Sequence, residues 1–145
     1  MKESGSPVGL YWDPETWATA RAAYLSDLDR DPQCPDAYIG WLQRVIEQHI
    51  ERGPVVRAAA GVEQPARRRG GQRLTRTYPL RDELVERMDD AIVDDRRELG
   101  RALGRSSFVH EAVILGIAAA TARRDDGQLP AAPARLPTRP RRRRN

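Results

Sequence analysis

Apolar residues recur with period two over one short stretch beginning at Arg73 and with helical period on both sides of it, a pattern that predicts one strand among four helices. In RLTRTYPL, Arg73, Thr75 and Thr77 alternate with Leu74, Arg76, Tyr78 and Leu80. Pro79 has no N–H to donate and marks the end of pairing. The following segment, RDELVERMDDAIVDDRREL, places Leu84, Val85, Met88, Ala91, Ile92 and Leu99 on one helical stripe. GRALGRSS interrupts it, and FVHEAVILGIAAATARR, Phe108 to Arg124, resumes as a helix that is apolar around most of its circumference. Such a helix needs cover on nearly every side, and a second copy of the chain is the simplest cover.

The amino-terminal third predicts two further helices. Asp13 supplies a cap, Pro14 the first helical position, and Trp12 and Trp17 the two staple positions. Trp17, Ala20, Tyr24 and Leu28 continue that stripe until Asp29, Asp31 and Pro32 break it. Pro35 then opens a helix in which Tyr38, Trp41, Leu42, Val45, Ile46 and Ile50 share a face, ended by Arg52, Gly53 and Pro54. The expectation is an antiparallel helical hairpin over residues 1–54. It holds most of the aromatic residues, which serve either as a small core against the rest of the chain or as a docking surface for another protein.

Between these regions, residues 55–72 lose periodicity and carry Arg67, Arg68 and Arg69, the composition of a basic flexible linker. Residues 125–145 read as a disordered tail rich in proline and arginine that ends in Arg141, Arg142, Arg143 and Arg144. No internal repeat stands out.

A lone strand within residues 73–124 leaves its backbone groups without partners, and two copies pairing antiparallel would satisfy them. The predicted fold is therefore mainly α: an amino-terminal helical hairpin plus a carboxy-terminal strand-helix-helix unit that dimerises through an intermolecular two-stranded antiparallel ribbon. Its dimer core would comprise Leu74, Tyr78, Leu84, Met88, Ile92, Phe108, Val109, Ala112, Val113 and Ile117. Arg76, on the apolar face of the strand, must lie at the ribbon edge and snorkel outward. A ribbon of this kind fits the DNA major groove, where each base pair shows its own donor and acceptor pattern. Arg73, Thr75 and Thr77, on the outward face, are the candidate base readers. Arg105, Ser106 and Ser107, at the start of the last helix, are candidates for a phosphate clamp, because that end has unpaired N–H groups and the positive end of the helix dipole.

Charge sharpens this picture. The net charge is +4 and arginine almost entirely replaces lysine, which suits bidentate phosphate and guanine contacts, although a GC-rich genome gives the same bias. The basic excess falls in the linker and tail, so Arg67, Arg68, Arg69 and Arg141 to Arg144 are candidates for non-specific DNA contact. A single cysteine, Cys34, forms no internal disulfide. No secretory leader or membrane span is evident, so the expected location is cytoplasmic, on the nucleoid or a plasmid. His49, His110 and Cys34 lack metal-ligand spacing, and no nucleophile arrangement or phosphate-binding glycine loop occurs; no metal, cofactor or enzymatic activity is expected. Asp89, Asp90, Asp94 and Asp95 read as a solvated helix face balanced by Arg96 and Arg97.

The strand, the amphipathic helix, the Gly-x-Ser break and the apolar helix together resemble the ribbon-helix-helix DNA-binding superfamily, most recognisably in GRSSFVHEAVILGI. The longer stretches DDRRELGRALGRSSFVHEAV and ARAAYLSDLDRDPQCPDAYIGWL resemble actinobacterial ParB-type centromere-binding proteins of plasmid partition. That resemblance implies an obligate homodimer on repeated double-stranded DNA sites and a ParA-type ATPase as partner, often engaged through the amino-terminal region. It also implies base reading by Arg73, Thr75 and Thr77 and backbone clamping by Arg105 to Ser107. The alternatives are a ribbon-helix-helix transcriptional repressor or antitoxin, and a helical adaptor that only dimerises through its carboxy-terminal half.

Overall fold

The computed structural model describes residues 5–65 and 74–136. Two strands and four helices follow one another as β1 (Gly5–Trp12), α1 (Pro14–Arg30), α2 (Tyr38–Ala59), β2 (Leu74–Arg81), α3 (Asp82–Leu99) and α4 (Arg105–Ala122). The order strand, helix, helix therefore occurs twice.

The strand missing from the sequence reading is β1. It pairs antiparallel with β2 along its whole length, from Gly5 opposite Arg81 to Trp12 opposite Leu74. This overturns the predicted intermolecular ribbon: the partner that β2 requires is supplied by the first residues of the same chain. Val8, Leu10 and Trp12 are buried and alternate with exposed Pro7, Gly9 and Tyr11, as expected for a strand packed on one face. Leu80 is buried on the same side, with Leu74 and Tyr78 half-buried, so the ribbon has an apolar side on the helices and a second side turned to solvent.

The helices are interleaved. Rather than forming a hairpin, α1 packs chiefly on α4, and α2 on α3 and α4, while α1 meets α2 through side chains, Asp27 with Trp41 and Arg44 and Tyr24 with Tyr38. The predicted amino-terminal hairpin is thus replaced by two β-α-α units, each completing the other. Aligning Pro14 with Asp82 sets Gly9 on Thr77, its own partner in the ribbon, so an approximate twofold axis passes through that pair. Asp27 then corresponds to Asp95, and aligning the starts of the second helices, Tyr38 with Arg105, sets Trp41 on Phe108, Leu42 on Val109 and Ile46 on Val113, all of them buried.

The apolar circumference of α4 is covered from within the chain. Phe108, Val109, Ala112 and Val113 are buried in a single core with Leu84, Met88, Trp41, Tyr24 and Trp12, while Leu74, Tyr78, Ile92 and Ile117 pack on it half-buried. The residues expected to form a dimer core thus lie in the core of one chain, and the aromatic residues Trp12, Tyr24 and Trp41 are part of it. A Cβ on Gly116 would stand 2.6 Å from Val45 Cγ1, so α2 and α4 cross as closely as they do because position 116 has no side chain.

Two helix boundaries also moved. Pro35 precedes α2 by three residues and packs under Gly40 instead of opening the helix. Gly53, at φ 79°, breaks α2 as expected, but helical turns resume through Pro54 to Ala59. That extra turn delivers Arg57 into the interior.

Two ion pairs, each on a buried aspartate, tie the units together. Arg57, 1% exposed, donates from Nε and Nη2 to Asp95, 0% exposed, at 2.9–3.3 Å, and from Nη1 to the carbonyls of His49 and Ile50. Asp95 therefore belongs to the core and not to a solvated acidic face. At the corresponding place in the other unit, Arg123 donates to both oxygens of Asp27 at 2.9 and 2.8 Å, and Trp41 Nε1 donates to the same carboxylate at 2.9 Å. Hydrogen bonding to Asp27 strengthens the charged form of Arg123.

Candidate nucleic-acid interface

The solvent side of the ribbon is set by register. Cross-strand partners share a face, so Pro7 with Pro79, Gly9 with Thr77 and Tyr11 with Thr75 point away from the core. Thr75 and Thr77 are exposed on this outer face, and Tyr11 is 60% exposed. Arg76 lies on the inner face but is exposed; its guanidinium sits 5.2 Å over the Trp17 ring and donates to the Thr75 carbonyl at 3.0 Å. The arginine thus escapes burial by lying across an aromatic surface. Arg21 occupies the same ring at 4.5 Å.

The start of α4 borders this face. The Tyr11 N–H, on the outer edge of β1, donates to Ser106 Oγ at 2.9 Å, fastening the helix start of one unit to the strand of the other. Gly104, at the N-cap, contributes no side-chain hydrogen bond to the first turn, which contains no acidic residue. Arg105 forms a two-pronged pair with Asp89 at 2.9 and 2.7 Å on the surface, which strengthens its charged form. The Ser107 carbonyl accepts from Gln64 at 3.2 Å. Of the three candidate clamp residues, Arg105 and Ser106 are therefore already engaged within the fold, one by a carboxylate and one by the ribbon.

Thr75, Thr77, Ser106 and Tyr11 are brought together; Tyr11 was missed because β1 was missed. Its signal was present, since Val8, Leu10 and Trp12 alternate with Pro7, Gly9 and Tyr11. Arg73, Arg67, Arg68, Arg69 and Arg141 to Arg144 lie outside the described residues. The first part of the expected tail lies on the fold: Arg21 donates to the carbonyls of Pro133 and Ala134, and Leu129 and Leu136 pack against the core.

A second polar cluster is internal. His49 Nε2 lies 3.0 Å from Glu111 Oε1, Arg52 Nη1 lies 3.0 Å from His49 Nδ1, and Arg101 also pairs with Glu111. A guanidinium can only donate, so Nδ1 accepts and the ring is neutral, with its proton on Nε2 toward Glu111. Burial lowers the His49 pKa; the Glu111 carboxylate opposes that shift, and Arg52 and Arg57 add to it. His49 and Glu111 are completely buried, and Arg52 and Arg101 cover them from partly exposed positions. Among the described residues no group of histidine, cysteine and acidic side chains is arranged to hold a metal ion, and no helix is long and apolar enough to cross a membrane.

Compared with protein families, with curated proteins and with solved structures, the chain matches none.

Proposed function

We propose that this protein binds duplex DNA by laying the outer face of its ribbon in the major groove. The observation that carries this reading is the exposure of Thr75, Thr77 and Tyr11 together on the one ribbon face the core leaves open, with the serine-rich start of α4 fastened to its edge. A two-stranded ribbon fits the width of that groove, and hydroxyl groups both donate and accept toward base edges. The Ser106–Ser107 turn supplies backbone N–H groups toward a phosphate, and Arg105 can exchange Asp89 for one. The arginine runs at 67–69 and 141–144 would add affinity without sequence preference. One chain carries a complete ribbon, so the binding unit is a single chain.

The resemblance of DDRRELGRALGRSSFVHEAV to partition proteins supports a role in plasmid or chromosome segregation, with a ParA-type ATPase as partner. Titrating a fluorescent mixed-sequence duplex with the full-length protein tests the binding step. The expected result is saturable binding whose logarithmic affinity falls linearly with the logarithm of salt concentration. Absence of binding at low salt would remove the proposal.

A further inference from the structure

We infer that the DNA target is non-palindromic and is discriminated mainly from one end of the ribbon. The inference rests on the DNA-binding reading and adds the symmetry of the site. The backbone has an approximate twofold axis through the Gly9–Thr77 pair, but the outward side chains do not obey it. Pro7 stands where the other strand has Thr75, Gly9 where it has Thr77, and Pro79 where β1 has Tyr11.

Glycine and proline offer no side-chain donor or acceptor. At one end of the ribbon, Tyr11 and Thr75 form an outward cross-strand pair with two hydroxyl groups; at the other end the pair is Pro7 with Pro79. Base edges met by the Pro7–Pro79 pair therefore find shape alone, and Arg81, opposite Gly5 at the limit of that end, is held by Glu47 at 3.3 Å, whereas those met by the Tyr11 end find hydrogen-bonding groups.

The flanking helices are polarised in the same sense. Ser106, in the first turn of α4, holds the ribbon at Tyr11, and that helix begins Gly104, Arg105, Ser106, Ser107. At the opposite end Gln43 of α2 accepts from the Arg81 N–H, and that helix begins Ala37, Tyr38, Ile39 after an exposed Asp36. The start of α4 thus offers two serine hydroxyl groups and Arg105, whereas the first turn of α2 has neither a serine nor an arginine. A symmetric dimer would read two equal half-sites; this chain has one half equipped to read.

The test is selection from a random duplex pool with the full-length protein, recovering only the complex that contains one chain per duplex. The expected product is an element without internal dyad symmetry, its information concentrated on one side. Thr75→Ala should lower the preference for that element over random duplex by about five- to tenfold, the effect of one lost hydrogen bond. Pro7→Ala should leave the preference unchanged. A dyad-symmetric element in the one-chain complex, or equal losses from Thr75→Ala and Pro7→Ala, would overturn the inference while leaving DNA binding intact. Binding without enrichment of any element would overturn it too, and absence of any binding would remove the reading beneath it.

Discussion

The two β-α-α units are alike where they hold each other and unlike where they meet solvent. Each sends an arginine from the end of its second helical segment to a buried aspartate in the first helix of the other: Arg57 to Asp95, and Arg123 to Asp27. Each places a large aromatic side chain at corresponding positions, Trp41 and Phe108. Bulk elsewhere is divided unequally. Val45 of the first unit fills the space that Gly116 of the second leaves open, while the twofold-related positions hold Ala112 and His49. Two copies of the second unit would bring Ala112 against Gly116 and leave a void, a packing loss that favours pairing with the first unit of the same chain. Joining both units in one chain frees their sequences to diverge, and the outer ribbon face shows that divergence most clearly.

The ion pairs give the largest expected contrast. Arg57→Ala would leave the fully buried Asp95 with only its 3.7 Å pairing to Arg101 and should destabilise the fold by about 3–5 kcal/mol. Arg123→Ala should have a smaller effect, because that side chain is 35% exposed and Asp27 keeps a direct hydrogen bond from Trp41. Urea unfolding of the two variants measures the difference, and equal losses would remove the distinction between the units. Next in size is the helix crossing: Gly116→Ala should cost about 1–3 kcal/mol through overpacking, and Val45→Ala in the same chain should restore part of it. Failure of the second substitution to compensate would place the cost elsewhere.

A smaller and pH-dependent effect comes from His49, whose twofold counterpart is Gly116. Its folded-state pKa is lowered by burial below the unfolded value of about 6.5, so the unfolded chain takes up the proton first. Its contribution is complete above about pH 6.5 and is lost progressively as the pH falls below that value toward the folded pKa. Thermal unfolding should therefore show a Tm that declines on acidification through this window, and His49→Gln should flatten the decline.

The four main helices and the second strand were legible because long stripes and an uninterrupted alternation survive local noise. Trp12 and Pro14 read correctly as the entry to α1, but β1 did not, since Gly5, Pro7 and Gly9 are residues that weaken a strand in isolation. They stand on the outward face, where strand preference is set by solvent and not by packing. Missing β1 hid the repeat, and with it the reason β2 needs no second chain. Thr75 and Thr77 were correctly placed on the face opposite Leu74 and Tyr78, since period two fixes faces without a partner. Asp95 was read as solvated because its neighbours Asp94 and Arg96 are; its partner Arg57 lies beyond a glycine–proline break, where periodicity no longer indicates direction.

Completion of the ribbon within one chain is tested most directly by a cross-link across the twofold pair. In a Cys34→Ala background, which removes the buried free thiol, Gly9→Cys with Thr77→Cys places two thiols at directly opposed positions of β1 and β2. The predicted result on oxidation at micromolar concentration is a disulfide within single chains of 16.3 kDa. A covalent dimer as the main product, formed equally well by Thr77→Cys alone, would contradict it.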